Sequence, residues 1–275
     1  MRQVCRLASR IRNDSDLRIP ARERELGDGM TLLILKLVCS HVVARFVLQP
    51  DLQAKLKATR GRSGITAALL TQSCLFMIFA ALLTIPGYSS SPLALSSLLW
   101  LIAILGATRT VISLVELPPF PSSWQGFALA QILHVFAISA IASRFGEIPG
   151  LSKYLAGVCV SPRTYGLIIA YGVSLGLGGV VVPMITGLLR PEMPVGAKNA
   201  GKYIGVLERL LLTTLIIYWP TLDATAIGLI FSAKSVARFP EFKAQNFAEY
   251  YLLGTLTSFL IAIASGLLVR SYFPR

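Results

Sequence analysis

Apolar runs of roughly twenty residues recur along the chain, each long enough to cross the hydrocarbon layer as a helix. The pattern predicts spans over Thr31–Gln49, Ile65–Ile85, Leu93–Val115, Trp124–Ser143, Tyr165–Leu189, Tyr203–Trp219 and Phe247–Val269. Pro50, Pro86-Gly87 and the Pro118–Pro121 cluster punctuate the first breaks, where proline disfavours continued helix. Asp223–Phe239 is a shorter helical stretch that ends basic, and it reads as a short span, a re-entrant piece or an interfacial helix. Period-two alternation of a β-barrel is missing. The expectation is an all-α, polytopic transmembrane helical bundle with seven or eight membrane helices.

Composition agrees. The 275 residues are 54% hydrophobic and 14% charged, against about 25% charged in soluble domains. Formal net charge is +13. That excess reads as Lys and Arg gathered in loops near anionic headgroups, so the expected partner is the lipid bilayer. A basic patch interleaved with aromatics on a soluble element, as nucleic-acid binding needs, is not found. Cys5, Cys39, Cys74 and Cys159 are scattered and have no zinc or disulfide-framework spacing.

The chain divides into four parts. Residues 1–29 carry seven arginines from Arg2 to Arg24 and no apolar core. They read as a disordered basic tail or as sequence before the natural start at Met30. Residues 30–145 form a four-helix membrane region. Residues 146–200 hold a span rich in glycine (Gly172, Gly176, Gly178, Gly179) with Pro183, expected to pack closely or to break between Gly176 and Pro183. Residues 201–275 form a second membrane region. The basic loop Lys55–Arg62 is expected in the cytoplasm. The connectors at 144–164 and 190–202 are also basic and cannot both face inward if the fifth segment crosses once.

The polar residues inside the spans carry the candidate chemistry, because ionisable groups at membrane depth are costly. His41, Arg45 and Gln49 share one face of the first span at spacing i, i+4, i+8, and Gln131 and His134 share a face of the fourth. If those helices meet, the side chains form a polar core able to hold a ligand or pass protons. Arg109 lies in the third span, where snorkelling toward Glu116 is the simple expectation, and a pair with His41 requires that histidine to be neutral. Glu208, Arg209, Lys234, Arg238 and Glu249 form a second cluster, in which an acid is expected to pair with Lys234 or Arg238. No metal site is expected, since no acid lies mid-span beside the histidines. No cofactor motif and no local catalytic signature occur.

At these residues the chain resembles the bacterial multi-pass membrane family described as domain of unknown function 3307. HVVARFVLQPD resembles that family's His, Asp-Phe and Gln pattern, with His41, Phe46 and Gln49 matching and Arg45 standing for the acid. FALAQILH resembles its Asp-Gln-x-x-His element through Gln131 and His134, with Ala130 in place of the acid. ATRTVIS corresponds to its His-x-x-x-Asp element, with Arg109 and Ser113 substituted. Gly201–Arg209, Ala226–Phe239 and Phe247–Thr255 resemble a segment often attached to the family. The resemblance implies a bacterial inner (cytoplasmic) membrane location, with the acids of a cation or proton site replaced.

Three functions fit this reading. The first is an integral membrane protein with a polar, positively biased bundle interior. The second is a small-solute or anion permease using the Gly176–Pro183 break and the Arg/Lys cluster. The third is a membrane-embedded hydrolase or lipid-modifying enzyme using His41 and His134.

Overall fold

Long apolar segments become helices because lipid offers the backbone no hydrogen-bond partner, so each N–H and C=O bonds within its own segment. A computed structural model describes residues 21–48, 61–84, 92–114, 124–146, 161–187, 195–219, 221, 223–239 and 247–273. Among these residues there are eight helices and no strands. They are α1 (Ala21–Val42, running on through a π-helical turn at Val43–Val47), α2 (Gly61–Thr84), α3 (Pro92–Ser113), α4 (Trp124–Gly146), α5 (Pro162–Thr186), α6 (Val195–Tyr218), α7 (Asp223–Arg238) and α8 (Phe247–Tyr272).

Six of them, in α1 to α5 and α8, are long and apolar enough to cross a membrane. Helix α6 is comparably long at 24 residues but carries Lys202, Glu208 and Arg209. Large apolar side chains such as Trp100, Phe136 and Leu260 point outward, as a bundle solvated by lipid requires.

Helices α1 to α4 share one apolar core built from Leu33, Leu37, Phe76, Leu98, Leu101, Leu105 and Ile138, among others. Cross-helix contacts fix the directions. Ser73 meets Thr110 and Phe76 meets Arg109, so α2 and α3 are antiparallel. His41 meets Gln131 and Phe46 meets Phe127, so α1 and α4 are antiparallel.

The remaining helices pack around α5, α6 and α8. Tyr171 bonds Thr214 and Leu175 faces Arg209, which makes α6 antiparallel to α5. Arg209 meets Ser258, Thr213 meets the Ala262 carbonyl and Ile216 packs on Gly266, so α6 and α8 run parallel. Two parallel neighbours in succession need a return path, and α7 is that path. Phe231 packs on Phe259 and Ser235 bonds Tyr251, so α7 runs antiparallel to α8. The stretch 223–239 is a helix that returns the chain along α6 and α8.

The two groups join where α1 meets α5, side by side and parallel. Val42 lies against Gly172, and a Cβ at Gly176 would stand 2.6 Å from Phe46 Cβ and 2.7 Å from its carbonyl oxygen. Only glycine lets the backbones approach this closely. Both helices are irregular here, since α5 has its own π-helical stretch at Gly172–Leu177.

Several expectations change. The irregularity of α5 lies at Gly172–Leu177, ahead of Pro183, and the helix continues through that proline to Thr186. The neighbouring turns of α1 and the missing side chains at the glycines, more than the proline, set its position. Helix α1 starts at Ala21, well before the expected Thr31. Helix α5 starts at Pro162, because Ser161 caps it by accepting a bond from the Thr164 backbone N–H at 3.3 Å, with proline ideal at the first helical position. Since α5 runs the whole way once, its two ends, at Ser161 and Gly187, lie at opposite ends of the bundle.

Candidate functional site

The i, i+4 and i, i+3 rows read in the sequence do converge. His41 is 3% exposed, and its Nε2 lies 3.2 Å from Gln131 Oε1 on α4. Its Nδ1 lies 2.6 Å from an Arg109 guanidinium nitrogen on α3. A guanidinium only donates, so His41 Nδ1 must be the acceptor. The ring is then the neutral tautomer with its proton on Nε2, which donates to the Gln131 carbonyl oxygen. The condition for an Arg109–His41 pair, a neutral histidine, is met by geometry.

Arg109 itself departs from expectation. It does not snorkel toward Glu116 but turns into the bundle, 3% exposed, with its guanidinium 5.0 Å above the Phe76 ring. The His41 lone pair and the ring face draw it inward. His134 lies 4.9 Å from His41, ring centre to ring centre. Its Nδ1–H donates to the Ala130 carbonyl one turn earlier at 2.6 Å. Arg45 sits one turn beyond His41, with its guanidinium 5.8 Å from the Phe127 ring centre. Gln49 lies outside the described residues.

His41, Arg109 and His134 line a small, partly open cavity with Phe76, Thr108 and Ile138. Its core has room for about one water. Next to it Ser73 and Thr110 bond at 2.8 Å, while Gln72 Nε2 is buried with no acceptor among the described residues. His41, Arg109 and Gln131 all lie within about two turns of the helix ends on one face of the bundle, the face of the Lys55–Arg62 connector. No three His, Cys, Asp or Glu side chains converge among the described residues. The histidine pair therefore lacks carboxylate or thiolate co-ligands there.

The second predicted cluster separates into parts. Glu208 pairs with Lys234 at 2.7 Å and ties α7 to α6. Lys234 also lies 5.6 Å from the centre of the Tyr251 ring. Arg209, the next residue, points away from this pair toward α5 and α8. Glu249 is exposed in the first turn of α8 and makes no ion pair among the described residues. The Arg238 side chain lies outside the described residues.

Sequence reasoning passed over several buried polar residues. Lys36 on α1 is fully buried, and its position inside an apolar run was the available signal. Ser174 and Thr213 bond at 2.7 Å between α5 and α6, both fully buried. Single hydroxyls are common in membrane helices, and only their pairing across helices sets these two apart.

Fold and residue placement together define an α-helical multi-pass membrane protein with a cation-bearing polar centre in each helix group. Compared with known proteins, the chain matches no family model, no curated protein and no solved structure.

Proposed function

We propose that the chain is a permease-type membrane protein that binds a small polar or anionic solute in its first four helices. The observation that carries this reading is the cavity where Arg109, His41 and His134 converge. Arg109 supplies positive charge, the neutral His41 holds it in place, and His134 Nε2 and the Thr108 hydroxyl offer further polar contacts. The π-helical turns at the α1–α5 contact supply irregular backbone beside the site, which is where helices yield during gating.

This reading is preferred to a hydrolase. Both ring nitrogens of His41 are already engaged, by Gln131 and Arg109, which leaves it no lone pair to serve as the base for a nucleophile. The resemblance of His41, Phe46, Gln49, Gln131 and His134 to the family described as domain of unknown function 3307 supports the same placement of the site.

The test is anion exchange in proteoliposomes, with chloride inside and nitrate outside. Wild-type protein is expected to raise exchange above protein-free vesicles, and Arg109→Gln to abolish the increase. Exchange by wild type no faster than by empty vesicles, or undiminished in Arg109→Gln, would reject the reading.

A further inference from the structure

Arg209 lies level with Ser258, near the middle of α8, and is 3% exposed. A guanidinium at that depth normally holds a carboxylate, a phosphate or a set of short hydrogen bonds. Here it has two long ones. One terminal nitrogen donates to Ser258 Oγ at 3.3 Å, and the other to the Leu175 carbonyl in the π-helical stretch of α5 at 3.5 Å. Charge-assisted bonds are typically about 2.7–2.9 Å. The third donor, Nε–H, has no acceptor among the described residues. Its sequence neighbour Glu208 is turned to Lys234.

The walls around the guanidinium are bare backbone. A Cβ at Gly178 would stand 2.8 Å from Arg209 Nε, one at Gly205 3.3 Å from a terminal nitrogen, and one at Gly179 3.8 Å from the other. Toward the end of the bundle where α5 ends and α6 begins, an added Cβ at Gly187 or Gly201 meets nothing within 4 Å. Ser258 and Thr255 supply buried hydroxyls from α8.

We propose that Arg209 anchors a second binding site, for a small carboxylate, enclosed by α5, α6 and α8. The carboxylate takes Nε and the neighbouring terminal nitrogen as a bidentate pair, displacing the 3.5 Å bond to Leu175. Gly178 keeps the Nε edge clear. The Ser258 hydroxyl, on the other terminal nitrogen, holds the guanidinium plane so that this edge faces the ligand. This site is independent of the cavity at His41 and Arg109, since it uses different helices and a different cation.

Thermal unfolding of the full-length protein in detergent tests the proposal, with sodium formate compared against sodium chloride and sodium gluconate at equal ionic strength. Formate is expected to raise the midpoint saturably. That rise is expected to vanish in Arg209→Gln and Gly178→Ala, and to persist in Arg109→Gln. Should Arg209→Gln fail to fold, Ser258→Ala carries the test and is expected to weaken the formate response several-fold. The proposal is overturned if formate gives no rise, if chloride or gluconate matches it, if the response survives Arg209→Gln, or if Ser258→Ala leaves it unchanged.

Discussion

His41 and Arg109 stabilise the first helix group only as a pair. Removing the acceptor alone leaves a buried guanidinium short of its closest bond. We expect His41→Ala to cost about 3 kcal/mol, as breaking one side of a buried polar pair does. The double variant His41→Leu/Arg109→Met is expected to recover most of that loss, because an apolar replacement of both partners carries no desolvation penalty. Unfolding midpoints of the single and double variants decide the matter, and a double variant less stable than His41→Ala would refute the pairing. Gly176 is a second position where a single atom matters. A side chain there meets the Phe46 backbone, which cannot swing aside. We expect Gly176→Val to lose about 2 kcal/mol or more, measured the same way, while Gly228→Ala, where an added Cβ meets nothing within 4 Å, is expected to leave the midpoint unchanged.

Among the elements, α7 depends most on polar contacts. Glu208 and Lys234 are 9% and 19% exposed, so their attraction is partly screened. A double-mutant cycle with Glu208→Gln and Lys234→Gln is expected to give a coupling of about 1 kcal/mol. A coupling near zero would mean that apolar contacts such as Phe231 on Phe259 hold α7 unaided. Nearly all the helices were legible in the sequence, because a membrane span is written in length and apolarity alone. The direction of α7 was not, since a 16-residue helix is short for a span and the deciding contacts join residues far apart in sequence. The same holds for the polar centre. Spacing placed His41 and Gln131 on faces of their own helices, but only packing shows that those faces meet. Arg109 was misread because the sequence shows a nearby acid, Glu116, and not the lone pair and aromatic face that turn the side chain inward.

For the whole molecule, eight helices of alternating direction place both helical termini, Ala21 and Tyr272, at the same end of the bundle. Single cysteines at Arg62 and Lys202 are expected to react with a membrane-impermeant maleimide from one side of a vesicle, and those at Ser161 and Tyr272 from the other. Agreement between Arg62 and Tyr272 would refute the arrangement. The native cysteines provide an internal control. Cys39 is buried and Cys74 is exposed near the middle of α2, so a lipid-soluble maleimide is expected to modify Cys74 and spare Cys39. Modification of Cys39 in folded protein would mean that the α1 core is open.

A π-helical turn holds about one residue more than an α-helical turn, so it sets the rotational frame of everything that follows it in the helix. Each of the two adjoining helices, α1 and α5, carries one at their contact. Deleting one residue from Gly172–Leu177 would make α5 regular and rotate everything beyond it by about 100°. Gly178 would leave Arg209, and the Leu175 carbonyl would turn away from it. The frame of α5 is therefore a counted length, and the second polar centre exists only in one of its two possible counts.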